Sequence, residues 1–385
     1  MVVISQHIID QAKQLRREFH ARPELGLKEH GTARKISERL LSFGLEVHSG
    51  IAETGIVATL RNGAGPSIGL RADIDALPIQ ELNDFAHISQ NPALMHACGH
   101  DGHTAILLGA ARHLSENRHF RGTVHFIFQP AEENAGGGKM MVDEGLFERF
   151  PMSSVYALHN WPGLPVGDVA VSQGPMMASQ DNFYITLTGK GCHAAMPELG
   201  ADPVVAGAQL ILSLQSLISR RLSPLEQTVI SLTQLQAGEA INVIPETLYM
   251  SGTLRCLSNE TRVTCWRLIE EYVNAVPLPY GVRGEVRWEW GYPVTKNHPE
   301  QAEAVRAAAL HSPGVTRVHF NNAPSMAAED FGYLLERCPG AYFWLGADGA
   351  TPSASLHNAR YDFNDDLIPL GIGIWATLVN RLLKD

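Results

Sequence analysis

An α/β fold with a largely parallel central sheet, interrupted by an inserted α+β domain of ferredoxin-like order, is what this sequence predicts. Three observations point there. Strand-like and helix-like stretches alternate through residues 1–180, the order changes to β-α-β-β-α-β over 181–292, and the alternation resumes over 293–385. A chain of 385 residues is long enough for two cores, since one core rarely grows past about 250–300 residues.

The elements follow in order. Ile8, Ile9, Ala12, Leu15 and Phe19 recur at helical spacing from Gln6 to Phe19. A second helix is expected from Gly31 to Phe43, stopped by Gly44. Gly55 to Leu60 and Ser67 to Leu70 read as strands on either side of the turn Asn62-Gly-Ala-Gly-Pro66. Thr104 to Leu114 is an apolar helix, and Gly122 to Phe128 and Val155 to Leu158 are apolar strands. In the insertion, strands are expected at Phe183–Gly189, Thr228–Leu235, Glu246–Cys256 and Val282–Trp290. Helices at Asp202–Arg221 and Asn259–Ala275 complete the ferredoxin-like order. Beyond Tyr292, helices are expected from Pro299 and Ala327, a strand at Ala341–Leu345, and a C-terminal helix from Leu367.

Composition narrows the function classes. A net charge of −10 with no basic run argues against nucleic acid as a partner. No apolar stretch reaches the ~20 residues of a membrane span, and Met1-Val-Val-Ile-Ser does not read as a signal peptide. The five cysteines, at 98, 192, 256, 265 and 338, do not form a disulfide framework.

Chemistry concentrates in a few segments. Met95-His-Ala-Cys-Gly-His-Asp-Gly-His103 packs a thiol, three imidazoles and a carboxylate into nine residues, and Cys98 and His100 carry donors suited to zinc and similar divalent ions. Gln129-Pro-Ala-Glu132-Glu133 ends a strand, where adjacent glutamates face different ways and can take different roles: one holding metal, the other facing water. His159 follows the strand Val155–Leu158, and His357 stands in a polar loop. Each lone histidine is more often structural than ligating, so the inference rests on the set.

The motifs HACGHDGHTA, QPAEENAGGG, LHNWPGLPVG, GKGCHAAMP, NVIPE, AEDFGYL and LHNARYDFND, in this order, resemble the M20 family of metallopeptidases and amidohydrolases. The resemblance spans essentially the whole chain and is strongest to the branch of hippurate hydrolases, N-acyl-amino-acid amidohydrolases and auxin-conjugate hydrolases. It implies a zinc-exopeptidase-like catalytic domain carrying a satellite domain at 181–292. It further implies that Cys98, His100, Glu133, His159 and His357 hold two divalent ions, Mn²⁺ or Zn²⁺, with Co²⁺ or Ni²⁺ also accepted. Glu132 would be the general base, Asp75 would orient a ligand, and His193 would stabilise the oxyanion. Asn242 and Arg255 would hold the substrate's carboxylate, for which an Arg fork is well shaped. The wider family carries a His ligand where this chain has Asp73.

The expected reaction is cleavage of an N-acyl amino acid to a carboxylic acid and a free amino acid. Metal acidifies water and polarises the amide carbonyl, and a neighbouring carboxylate moves the proton. The alternatives within the family are a dipeptidase and an N-acetyl-diamino-acid deacetylase; outside catalysis, a binding relative that keeps the fold. A homodimer through the satellite domain and a cytoplasmic location, where a thiolate ligand stays reduced, complete the expectations.

Overall fold

The computed structural model describes residues 2–350 and 353–384. The chain divides into two compact units. The larger comprises Met1–Met176, Lys296–Ala323 and Asp330–Asp385, and the smaller comprises Met177–Thr295 and Pro324–Glu329.

The larger unit is built on an eight-stranded mixed sheet. Its spatial order is Glu46–Ile51, Gly55–Asn62, Gly122–Gln129, Ser67–Asp73, Ser154–Pro165, Gly340–Asp348, Asp168–Val171 and Arg317–Phe320. The four strands from Gly122–Gln129 to Gly340–Asp348 run parallel, and the antiparallel pairings lie outside them. Near-continuous burial along Gly122–Gln129, Ser67–Asp73 and Gly340–Asp348 fits their largely apolar sequence, since strands covered on both faces have no solvent side. Helices Gln6–His20, His100–Glu116 and Leu367–Leu382 supply much of that cover. A Cβ at Gly109 would lie 2.4 Å from the Ile372 side chain, so the two apolar helices approach where one residue has no side chain.

The smaller unit has an antiparallel four-stranded sheet ordered Thr228–Ala237, Thr247–Cys256, Asp181–Thr188, Arg283–Trp290. With helices Pro203–Arg221 and Asn259–Ala275 this is the ferredoxin-like arrangement. Burial alternates strictly along Asp181–Thr188, as one covered face requires. Asp202 caps the first helix by accepting from Val204 N at 2.8 Å, with Pro203 at its first position.

Several local expectations shift. The helix expected from Thr104 begins at His100. The strand expected to end at Leu158 continues through His159 to Pro165, paired with Gly340–Asp348. The helix expected from Ala327 is only Gly332–Leu335, because the Asp330 side chain is committed to Arg71, Gln129 and Gly138 rather than to starting a helix of its own. Short strands at Asp168–Val171 and Arg317–Phe320 had no sequence signal long enough to show alternation.

One buried ionic network ties the N-terminal helix to the rest of the larger unit. Arg16 bonds Asp365 and Asp362, each at 2.8 Å. His20 lies between Asp101 (2.8 Å) and Glu81 (3.1 Å), with all three side chains buried. Burial opposes charging His20, but Asp101 and Glu81 overcome it and push its pKa up to about 9. A raised pKa stabilises the fold fully below the imidazole's ordinary value near 6.5, and that contribution disappears as pH rises through 9. Thermal stability should therefore fall between pH 6.5 and 9, by an amount on the order of 3 kcal/mol from this group. Melting curves of the wild type and His20→Asn across that window check it; equal slopes for both would contradict the assignment.

Candidate metal centre

The cluster is built where parallel strands of the larger unit end. Strand Gly122–Gln129 runs into Pro130-Ala131-Glu132-Glu133, and Ala131 has a positive φ of 52°. Such backbone is unfavourable outside glycine, so it persists only where its surroundings fix it. Buried Glu29 does so, accepting Ala131 N at 2.9 Å while Thr54 Oγ1 donates to its other oxygen at 2.7 Å. Burial raises the pKa of Glu29 above its ordinary value.

Gly99, with φ of 98°, turns the chain from Cys98 into the helix starting at His100. A Cβ there would lie 2.1 Å from Asn160 Oδ1, so the turn admits only glycine. Cys98 Sγ stands 3.4 Å from His159 Nε2, whose ring is turned by a bond from Nδ1 to Asn160 O (2.7 Å). His357, also in left-handed backbone, is placed by a bond from its N–H to Ala97 O at 2.8 Å. Its Nε2 lies 3.2 Å from Glu133 Oε1.

Asp75 organises the opposite side. Its Oδ1 meets His100 Nδ1 at 3.1 Å, and its Oδ2 accepts the backbone N–H of Glu133 at 2.9 Å. One carboxylate thus sets both the imidazole and the neighbouring acidic residue. With Nδ1 occupied, His100 presents Nε2, 4.0 Å from Glu133 Oε1.

Ligand atoms within 4.8 Å of one another form the groups Cys98, Glu133, His357 and His100, Glu132, Glu133. A further group contains Asp73, His100, His103 and His159. Glu133 belongs to two groups. His100 Nε2 and Glu133 Oε1 are buried without a hydrogen-bond partner among the described residues, although His357 lies within ion-pair distance of the latter. Atoms that crowd together without bonding one another are aimed at shared space. One thiol, imidazole nitrogens and carboxylate oxygens fit borderline divalent ions, so the donor set suits metal.

Asp73 and His103 are differently engaged. Asp73 Oδ1 bonds His103 Nδ1 at 2.6 Å and Oδ2 accepts from Arg71 at 2.7 Å; His103 Nε2 meets Asn160 Oδ1 at 2.7 Å. Their polar atoms are already satisfied, which favours positioning over ligation. Nothing in the spacing of His103 points to its bond with Asp73, thirty residues away.

Electrostatics follow from burial among acids. Burial disfavours charge on His100, but Asp73, Asp75 and Glu133 push its pKa up to about 10. Burial, then Glu133, Glu132 and Asp73, raises the Cys98 thiol well above its usual value. Burial, aided by His103, holds His159 well below the usual imidazole range. Burial opposes ionisation of Asp73, yet His100, Arg71 and His103 keep it well below the carboxylate range.

The remaining expected site residues lie in the smaller unit. His193 and Asn242 share one loop cluster: Cys192–His193 pairs with Val243–Ile244, and Ala194 N donates to Asn242 O at 3.0 Å. Arg255, near the end of Thr247–Cys256, donates to Gln180 Oε1 at 3.2 Å.

Comparison with known proteins gives this geometry a context. The family model "Peptidase family M20/M25/M40" matches residues 69–381. The chain is 37% identical to a hippurate hydrolase from Campylobacter jejuni, covering 97% of this chain and 96% of that protein. It is 36% identical to an N-acetylcysteine deacetylase from Bacillus subtilis, covering 96% of each. A crystal structure of a dinuclear metal-binding M20 peptidase from Bacillus subtilis superposes with a TM-score of 0.87 at 33% identity, covering 98% of this chain and 99% of that one. The chain belongs to peptidase family M20/M25/M40 and is a hydrolase of amide bonds.

Proposed function

We propose that the protein hydrolyses N-acyl amino acids of the hippurate type, releasing a carboxylic acid and a free amino acid. One observation carries this reading: the buried base candidate Glu132 stands beside Glu133, whose oxygen belongs to two groups of metal-capable atoms. The similarity to a hippurate hydrolase and to an N-acetylcysteine deacetylase supports N-acyl amino acids over dipeptides and N-acetyl-diamino acids.

Cys98, His100, Glu133, His159 and His357 would hold two divalent ions. Mn²⁺ or Zn²⁺ suits the mixed donors, and Co²⁺ or Ni²⁺ fits the same set. When bound, such ions polarise the amide carbonyl and lower the pKa of water from about 15.7 towards about 7. Glu132 takes the proton from the attacking water and returns it to the leaving amine. Asp75 keeps His100 and Glu133 in register, and Glu29 holds the Ala131 backbone from which Glu132 projects. His193 stabilises the developing oxyanion, while Asn242 and Arg255 bind the substrate's carboxylate.

A second copy of the chain is the partner this reading requires, joined through the domain at 181–292. Thr228–Ala237 is an edge strand of its sheet, and Leu235, Val243 and fully exposed Ile241 lie on it or just after it. An uncovered edge with apolar side chains is a pairing surface. A cytoplasmic setting, which keeps Cys98 reduced, belongs to the same reading; no helix among the described residues is long and apolar enough to cross a membrane.

Release of glycine from benzoylglycine, with Mn²⁺ or Zn²⁺ supplied, tests the activity. Glu132→Gln should lower kcat on the order of 10³-fold with bound metal unchanged. Turnover surviving in that variant, or metal lost with it, would contradict the roles given to the two glutamates. For the assembly, analytical ultracentrifugation should show a dimer for the wild type and a monomer for Leu235→Lys combined with Ile241→Asp. A monomeric wild type would rule the interface out.

A further inference from the structure

A cavity of about 850 Å³ opens in the larger unit at the far end of the helix that begins at His100. His113, thirteen positions along that helix, lines it, which puts the cavity about 20 Å from the metal centre at 1.5 Å rise per residue. The other walls come from Leu310 and Pro313, after helix Pro299–Ala309, and from Thr377, Asn380 and Arg381 on the C-terminal helix.

Two independent observations mark it as a binding site. The first is charge. In a chain of net charge −10, no carboxylate among the described residues lines this cavity; Arg381 and three histidines do. Arg381 has no ion-pair partner among the described residues. Glu116 is the acid nearest in influence to His113, and it is engaged by Arg112 at 2.9 Å.

The second is unmet hydrogen bonding. His113 Nδ1, Thr377 Oγ1 and Asn380 Oδ1 are buried and have no partner among the described residues. His113 and Thr377 are each only 6% exposed. Buried polar atoms in folded proteins are nearly always bonded, so three such atoms on one cavity mark places for ligand atoms. Thr377, Asn380 and Arg381 stand three and four positions apart and share one helix face.

We propose that this cavity binds an apolar amino acid or its N-acyl form, at a site distinct from the metal centre. The Arg381 guanidinium matches a carboxylate in both charge and shape, and the Thr377 hydroxyl can donate to the same group. Asn380 Oδ1 accepts and therefore needs an N–H on the ligand. Leu310, 55% exposed, and Pro313 offer apolar surface to an apolar side chain. The inference rests on these atoms alone and stands whether or not the proposed substrate is correct.

Calorimetric titration of the metal-loaded protein with L-phenylalanine is the test, with 3-phenylpropanoate (no N–H) and phenylalaninamide (no carboxylate) as comparison probes. Phenylalanine should bind saturably, and each comparison probe at least tenfold more weakly. Arg381→Ala should weaken phenylalanine at least tenfold while leaving amide hydrolysis unchanged. Thr377→Val, nearly isosteric, should raise the melting temperature of the free protein and reduce the rise produced by phenylalanine. Binding of equal strength in both variants and the wild type, or no saturable binding, would overturn the proposal.

Discussion

A row of acidic side chains can be buried at the ends of central strands only if cations and backbone N–H groups compensate it, and here much of that compensation comes from Arg71. Its guanidinium is fully enclosed, bonding Gln129 Oε1 at 2.8 Å, Asp73 at 2.7 Å and Asp330 at 3.0 Å. Asp330 in turn accepts from Gln129 and from Gly138 N, at 2.8 Å each. The strand end, the Gly-rich turn after it and a segment two hundred residues away are thereby locked into one assembly. Removing one member would leave the others as buried unpaired charges, which is far more destabilising than losing a surface ion pair.

That assembly holds the Glu132–Glu133 turn from below, and Glu29 holds it from the side. Asp75 then links Glu133 to His100, so the backbone of one acidic residue and the ring of the neighbouring imidazole are set by a single carboxylate. The result is a buried cluster in which His100 Nε2 and Glu133 Oε1 are left without a hydrogen-bond partner among the described residues. Burial disfavours charge on Cys98 and His159, while neighbouring acids and cations keep His100 protonated and Asp73 ionised.

The sequence made the chemistry-bearing residues legible because they stand in short motifs. Cys98 and His100 flank Gly99, the two glutamates end a strand, His159 follows the apolar run Val155–Leu158, and His357 stands in a polar loop. The ferredoxin-like order was equally readable, since its strands alternate and its helices carry Asp202 and Ser258 caps. What stayed hidden was every support that acts across distance. Glu29 meets Ala131 over 102 residues, and Arg71 meets Asp330 over 259. Neither pair has a local pattern to betray it. The early start of the helix at His100 was hidden for another reason: Gly99 reads as a turn residue, and only its left-handed backbone at the N-cap shows that the turn leads straight into a helix.

The central claim is that Glu133 is common to both halves of a two-metal centre. Metal content per chain, measured by inductively coupled plasma mass spectrometry after Mn²⁺ or Zn²⁺ loading and desalting, tests it most directly. The wild type should retain two ions, and Glu133→Ala should lose both while Cys98→Ala keeps one or more. A Glu133→Ala protein that still holds two ions, or a wild type that never binds more than one, would contradict it.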